Sequence, residues 1–187
     1  MTFYFVTPDN REQHRELMQD YFNRLAKVWG EIGLDNYDTQ SASYVVCVHH
    51  DLGVLGGMRL LPTLGPKLSD DSLAESGVAL HDEQTWEATK LFFYVPSEHP
   101  INDEPEAFES ICYQFYTGIW DFLQEICHIE MIVTLLPESE HTDARFFGQW
   151  PFMMESTVRN PFNHDDEEYV LGVLRFSEQE EEYAEAG

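Results

Sequence analysis

The sequence predicts an α/β (α+β) fold with a mixed central sheet flanked by helices, and three observations carry that reading. Short apolar runs of strand type alternate with helical stripes, the order that a sheet covered by helices requires. Two of those runs, 44–49 and 54–61, are joined by a turn at Asp51 to Gly53 that forces antiparallel neighbours. The strongest helical stripe, 104–127, then lies between two further strands and allows a parallel crossover.

Residues 3–6 read as the first strand. Thr7-Pro8-Asp9 follows with a capping hydroxyl, a proline suited to a first turn and an acid near the positive helix end, so a helix is expected directly after it. Leu17, Tyr21, Leu25 and Val28 fall on one stripe of that helix, with Met18, Phe22 and Trp29 beside it, and its end is expected near residues 30–33. A loop through Asp35-Asn36-Tyr37-Asp38 leads into the hairpin, whose second strand is interrupted by Gly56 and Gly57, a sign of a bulge or a close backbone approach. Residues 62–84 are polar and turn-rich and read as a loop. The stretch WEATKLFFYVP gives a strand over 87–95, stopped by Pro96. In 104–127, Phe108, Ile111, Cys112, Phe115, Ile119, Phe122, Leu123 and Ile126 recur every three or four residues. A strand at 130–136, a short helix closing at 145–147 and a last strand at 169–176 complete the pattern. The chain reads as one domain over 1–176, and residues 177–187, with five Glu, as a solvated, mobile tail.

Composition narrows the function. Thirty-five Asp and Glu against ten Lys and Arg give a formal charge of −25, which repels phosphate backbones and anionic lipid headgroups alike. Neither nucleic acid nor membrane is expected as a partner. No apolar run approaches the ~20 residues that span a bilayer, and the N-terminal FYFV is too short for a signal-peptide core, so a cytosolic location is expected. Cys47, Cys112 and Cys127 are an odd count without CxxC spacing and read as free thiols in the core. His49-His50-Asp51 offers ligand-type side chains, but adjacent residues of a strand point to opposite faces, so no metal site is expected there. The acidic run 164–168 reads as a solvated loop, and the aromatics Tyr113, Phe115, Tyr116, Trp120 and Phe122 as helix core.

Three stretches carry polar groups where a sheet otherwise prefers apolar ones. Asp35 and Asp38 stand three apart in a loop, Arg59 lies on a strand of Leu, Met and Gly, and Glu87 and Lys90 open the WEATKLFF strand. Singly, each fits a solvated loop acid or a sheet-edge cation. In sequence order, DNYD, GGMRLLPTLGPKL and WEATKLFF resemble the acyl-homoserine-lactone synthases, the LuxI-type autoinducer synthases. Their pattern is a D-x-Y-D-like turn, a G-x-x-RLLPT strand and a W-E-x-(S/T)-R strand. RLLPT followed by a Gly-Pro step is the most specific element. The resemblance covers roughly 22–93 well; beyond it, Val133-Thr134 and Gly148-Gln149-Trp150-Pro151 are similar to the family's V-T strand and G-W-P turn.

The resemblance implies an acyltransferase-like sandwich of the GCN5-related type, with an acyl thioester lying between two central strands. It implies an enzyme for quorum sensing that acylates the amine of S-adenosylmethionine from an acyl carrier protein or acyl-CoA, closes a lactone and releases methylthioadenosine. Both reactants are substrates, and no cofactor or metal is implied. An α-amine is largely protonated near neutrality, so attack needs a base, for which Glu87 is the candidate. Asp35 and Asp38 would attract the sulfonium and amine while Arg59 holds those carboxylates. The tetrahedral oxyanion needs N–H donors, expected from a bulged strand near Phe92 and Phe93. Phe22 and Trp29 match residues that cover the substrate, although periodicity by itself places them in the helix core. Thr134 matches a position on the acyl-chain pocket, although a strand Thr facing a neighbour fits equally.

The chain also departs from the family pattern. Met18 stands where an Arg is usual, four residues before Phe22, and the segment from Trp29 to Asp35 is short. Lys90 replaces an Arg, keeping the charge without the planar fork that grips a carboxylate. Ahead of the G-W-P turn, Arg145 is the lone cation in ARFFGQWP. Carrier proteins are strongly acidic, and two acidic surfaces meet slowly unless a local basic patch intervenes, which favours acyl-CoA as donor or a weak, salt-dependent carrier contact. Two other readings stay open: an N-acyltransferase of the same fold acting on another amine or amino acid, and a non-catalytic acidic module that occupies a basic partner.

Overall fold

A computed structural model describes residues 1–29, 42–62, 85–137, 153–159 and 168–176. The chain divides into two compact units, one of Met1–Leu61 with Thr89–Cys127 and one of Pro62–Ala88 with His128–Gly187.

In the first unit, β1 (Thr2–Val6) pairs antiparallel with β2 (Ser43–His49), which pairs antiparallel with β3 (Gly53–Pro62), followed by the second half of β4 (Thr85–Phe93). The expected hairpin is present, and its register shifts between Cys47 and Val48. The close approach anticipated at Gly56 and Gly57 is also present. A Cβ on Gly56 would fall on the Phe92 carbonyl oxygen, and one on Gly57 on the Val45 carbonyl oxygen. With φ of 157° and 153°, neither position suits a side chain in any case. This pair of glycines lets β3 lie against both neighbours.

Helix α1 is Arg15–Trp29, so it begins later than Thr7-Pro8-Asp9 predicts. The reason is local hydrogen bonding. The Asn10 side chain accepts from the Thr7 amide at 2.8 Å and donates to the Phe5 carbonyl at 3.0 Å. Main-chain bonds from Gln13 to Asn10 and from His14 to Arg11 then close three-residue turns, and the four-residue step starts only at Met18 to His14. Arg11 meanwhile donates to the Ala42 carbonyl at 2.7 Å and holds this turn against the start of β2.

Helix α2 is Pro105–Asp121, continued by a π-turn over Phe122–Ile126 that is closed by the Cys127 amide on the Phe122 carbonyl at 3.1 Å. Strand alternation sends neighbouring phenylalanines of β4 to different helices. Phe92 packs on Tyr21 of α1 with ring centroids 5.1 Å apart, and Phe93 packs on Phe115 of α2 at the same 5.1 Å separation. The first unit is thus a sheet with a helix on each face, the α1 layer holding Val6, Met18, Tyr21, Leu25, Tyr44 and Phe92. On the α2 side Phe3 stacks on Phe122, and a Cβ on Gly118 would lie 2.6 Å from the Phe3 ring.

In the second unit the first half of β4 pairs parallel with β5 (Met131–Pro137) over three residues, Thr85–Glu87 against Met131–Val133. The parallel pairing expected across the long helix is therefore found. β5 pairs antiparallel with β7 (Glu168–Arg175), which pairs antiparallel with β6 (Met153–Arg159). The sequence did not disclose β6. Its register shifts between Met154 and Ser156, and the extra residue breaks the period of two that marks a strand. The expected loop at 63–84, the short helix ending at 145–147, the run 164–168 and the tail 177–187 lie outside the described residues. No described helix is long and apolar enough to cross a membrane.

The cysteines are free, Cys47 buried and Cys112 and Cys127 half-buried. Burial pushes the Cys47 thiol up to about 12 and, as the main cause, those of Cys112 and Cys127 to about 11. Alkylation of the native protein near neutral pH is therefore expected to be slow, with all three thiols reacting once denaturant is added, as a time course of mass shifts would record. These folded-state values lie above the ordinary 9.0. Their contribution to stability is then complete below about pH 9 and is lost as the pH climbs through the folded values. Denaturant midpoints should fall between about pH 9 and about pH 11.

Candidate active site

β3 and β4 carry the polar residues that the sequence singles out. Arg59 is 0% exposed, near the end of a strand otherwise built of Leu, Met and Gly. Its Nε donates to the Thr89 hydroxyl at 2.9 Å. A guanidinium cannot shed its charge, so burying it demands hydrogen-bond acceptors, and Thr89 supplies one from β4. Thr89 was not singled out from the sequence; its signal was the hydroxyl slot of the W-E-x-(S/T)-R pattern.

Lys90, half-buried, follows Thr89 with φ of 52°, a left-handed conformation in the middle of β4. For a residue other than glycine this costs about 1–2 kcal/mol. The Lys90→Gly variant is accordingly expected to gain about 1 kcal/mol in denaturant unfolding while losing the cation, a split between stability and turnover that separates backbone from charge.

Beyond Lys90 the backbone settles into pairing with β3. The Tyr94 amide donates to the Leu55 carbonyl at 2.7 Å, and the Phe92 carbonyl faces Gly56. Successive strand residues direct their polar groups to opposite edges, so the Phe93 N–H between them is directed away from β3. Of the two amides expected near the oxyanion, those of Phe92 and Phe93, the first therefore faces β3 and the second is directed elsewhere. Both side chains are in packing. Phe92 is fully buried, and Phe93 meets Phe108, Phe115 and Tyr116.

Phe22 of α1 is half-buried and stands edge-on to Tyr21 and Tyr44, with centroids 5.4 and 5.5 Å away. It borders the α1 core, as periodicity anticipates. Met18, in the family's Arg position, is buried in that core. Trp29 closes α1. Asp35 and Asp38 lie outside the described residues.

In the second unit Glu87 is 4% exposed, opposite Val133 at the last pair of the parallel ladder. Thr134, 5% exposed, is the next residue of β5 and pairs with Gly172 of β7. Two polar side chains thus stay buried where the β4–β5 pairing stops, a place where a carboxylate can act on a proton away from bulk water.

A family model described as autoinducer synthase matches residues 15–183, nearly the whole chain. The chain belongs to the autoinducer synthase family. This autoinducer synthase is an acyltransferase enzyme, which leaves the non-catalytic module behind. Among curated proteins no sequence match is found. Solved structures confirm the acyltransferase-like fold. The CoA-dependent acyl-homoserine lactone synthase MesI is 20% identical with a TM-score of 0.57, the match covering 93% of this chain and 88% of that one. BjaI, a CoA-dependent acyl-homoserine lactone synthase solved with SAM and isopentyl-CoA, is 17% identical with a TM-score of 0.61, covering 95% and 84%. The aminoglycoside acetyltransferase AAC(6')-Ib, solved with coenzyme A and kanamycin, is 13% identical with a TM-score of 0.56, covering 96% and 97%. The autoinducer synthase shares its architecture with acyltransferases of different acceptors, so the fold by itself does not select the acceptor.

Proposed function

We propose that this autoinducer synthase makes an acyl-homoserine lactone from S-adenosylmethionine and an acyl-CoA. The family match over residues 15–183 carries the reading, and the buried Glu87 and Arg59 supply the chemistry. The amine nitrogen of S-adenosylmethionine attacks the thioester carbonyl. A tetrahedral oxyanion forms, the carbon–sulfur bond breaks, and the thiol leaves with a proton taken from the amine. The methionine carboxylate oxygen then attacks its own γ-carbon, and the bond to the sulfonium sulfur breaks to release neutral methylthioadenosine.

Each residue has a part in that sequence. Glu87 takes the amine proton, directly or through water, from a buried position that keeps the carboxylate from being solvated away. The Phe93 N–H is the backbone donor assigned to the oxyanion. Arg59, oriented by Thr89, supplies a buried cation, and the family pattern assigns Asp35 and Asp38 to attracting the sulfonium and amine. Lys90 faces the substrate carboxylate as a point charge. Thr134 borders the acyl chain, and Phe22 and Trp29 cover the nucleotide end.

The donor follows from charge. With −25 overall, this surface disfavours docking an acidic carrier protein, whereas a coenzyme needs only a small local patch. MesI and BjaI are both described as CoA-dependent, in line with that choice. A second reading, acylation of another amine, draws on Met18 being buried in the core rather than presenting a cation. Mass spectrometry of the protein with S-adenosylmethionine and matched panels of acyl-CoA and acyl-carrier-protein thioesters decides. Lactone together with methylthioadenosine from acyl-CoA is the expected result. Acylation without methylthioadenosine would establish the second reading, and faster turnover with the carrier protein would overturn the donor assignment.

A further inference from the structure

Away from the candidate active site, the turn between β2 and β3 brings together three side chains that strand alternation would have kept apart. β2 ends at His49, and His50 and Asp51 already belong to the turn, so the two imidazoles do not go to opposite faces. Their ring centroids are 4.3 Å apart. One ligand atom from each of His49, His50 and Asp51 lies within 4.8 Å of the others. The expectation that the neighbouring histidines point to opposite faces fails here because the strand stops between them.

We infer that His49, His50 and Asp51 bind a divalent transition-metal ion of the zinc class, through one nitrogen of each imidazole and one carboxylate oxygen, with water completing the shell. Two imidazoles and a carboxylate are a donor set suited to such ions. A tetrahedral ion with bonds of about 2.0–2.1 Å spaces its ligands about 3.4 Å apart, within reach of small side-chain rotations from the present arrangement. Those rotations are available. The His50 and Asp51 side chains are 76% and 69% exposed, and the His50 Nε2 lies 2.7 Å from the Asp51 Oδ2. His49 is held more firmly, its Nδ1 accepting from the Asp51 amide at 3.2 Å.

The test uses the untagged full chain. Co²⁺ titrated into the apo-protein is expected to give a saturable visible spectrum at one equivalent, which Zn²⁺ then abolishes by displacement. H50A and D51N are each expected to weaken binding by about tenfold or more. Both positions are exposed, and circular dichroism confirms that the variants fold. A missing saturable spectrum, or one unchanged in an H49A/H50A double variant, would overturn the inference. Neither result depends on the acyl-transfer assay.

Discussion

Replacing Glu87 by Gln is expected to lower turnover by about 10²–10⁴-fold while leaving the fold in place. The amide has the shape of the carboxylate but cannot accept a proton from an ammonium, so the change removes the base and little else. The position matters because Glu87 is 4% exposed and sits at the last parallel pair, opposite Val133. A carboxylate there is kept from bulk water and tolerated only because surrounding groups stabilise it. The measurement is the rate of methylthioadenosine release under saturating acyl-CoA, alongside the thermal midpoint. Turnover within a factor of about three of the parent, with the fold intact, would remove Glu87 from the proton path and leave water as the base.

The Gly56→Ala variant is expected to lose about 3 kcal/mol or more of stability, and with it most of the activity. Two costs coincide at this residue. The backbone has φ of 157°, and the added methyl would fall on the Phe92 carbonyl oxygen. β3 and β4 can then stay paired only by moving apart, and the stretch from Phe92 to Tyr94 moves with them. Urea unfolding measures the first effect. A destabilisation under about 1 kcal/mol would mean that the sheet yields there at little expense.

The hairpin, the long helix and the parallel crossover were legible because their signals are local and periodic: the stripe from Phe108 to Ile126, or the Gly-containing turn after His49. The start of α1 was not, because Asn10 and Arg11 bond to Phe5 and Ala42, and Ala42 is distant in sequence. β6 was hidden by its register shift. At the site, Arg59 and Glu87 stood out as charges on apolar strands. The link from Arg59 to Thr89 joins residues thirty apart in sequence, and the left-handed turn of Lys90 has no side-chain signature, so neither could be read beforehand. The histidine pair misled for the opposite reason. A rule true inside a strand was applied one residue past its end.

The divergence of Phe92 and Phe93 toward different helices has a further consequence. The peptide unit joining them is riveted on both sides, since rotating it would pull one ring off Tyr21 and the other off Phe115. Such a unit cannot open by itself. The neighbouring Phe92 amide proton, directed at β3, should exchange with solvent only when the two helical layers come away together, at a rate set by the cooperative unfolding of that part of the molecule rather than by any breathing of the strand. In the proposed reaction, the Phe93 N–H anchored in this way would keep its direction through the catalytic cycle, and its hydrogen bond would not need to be aimed afresh at each turnover.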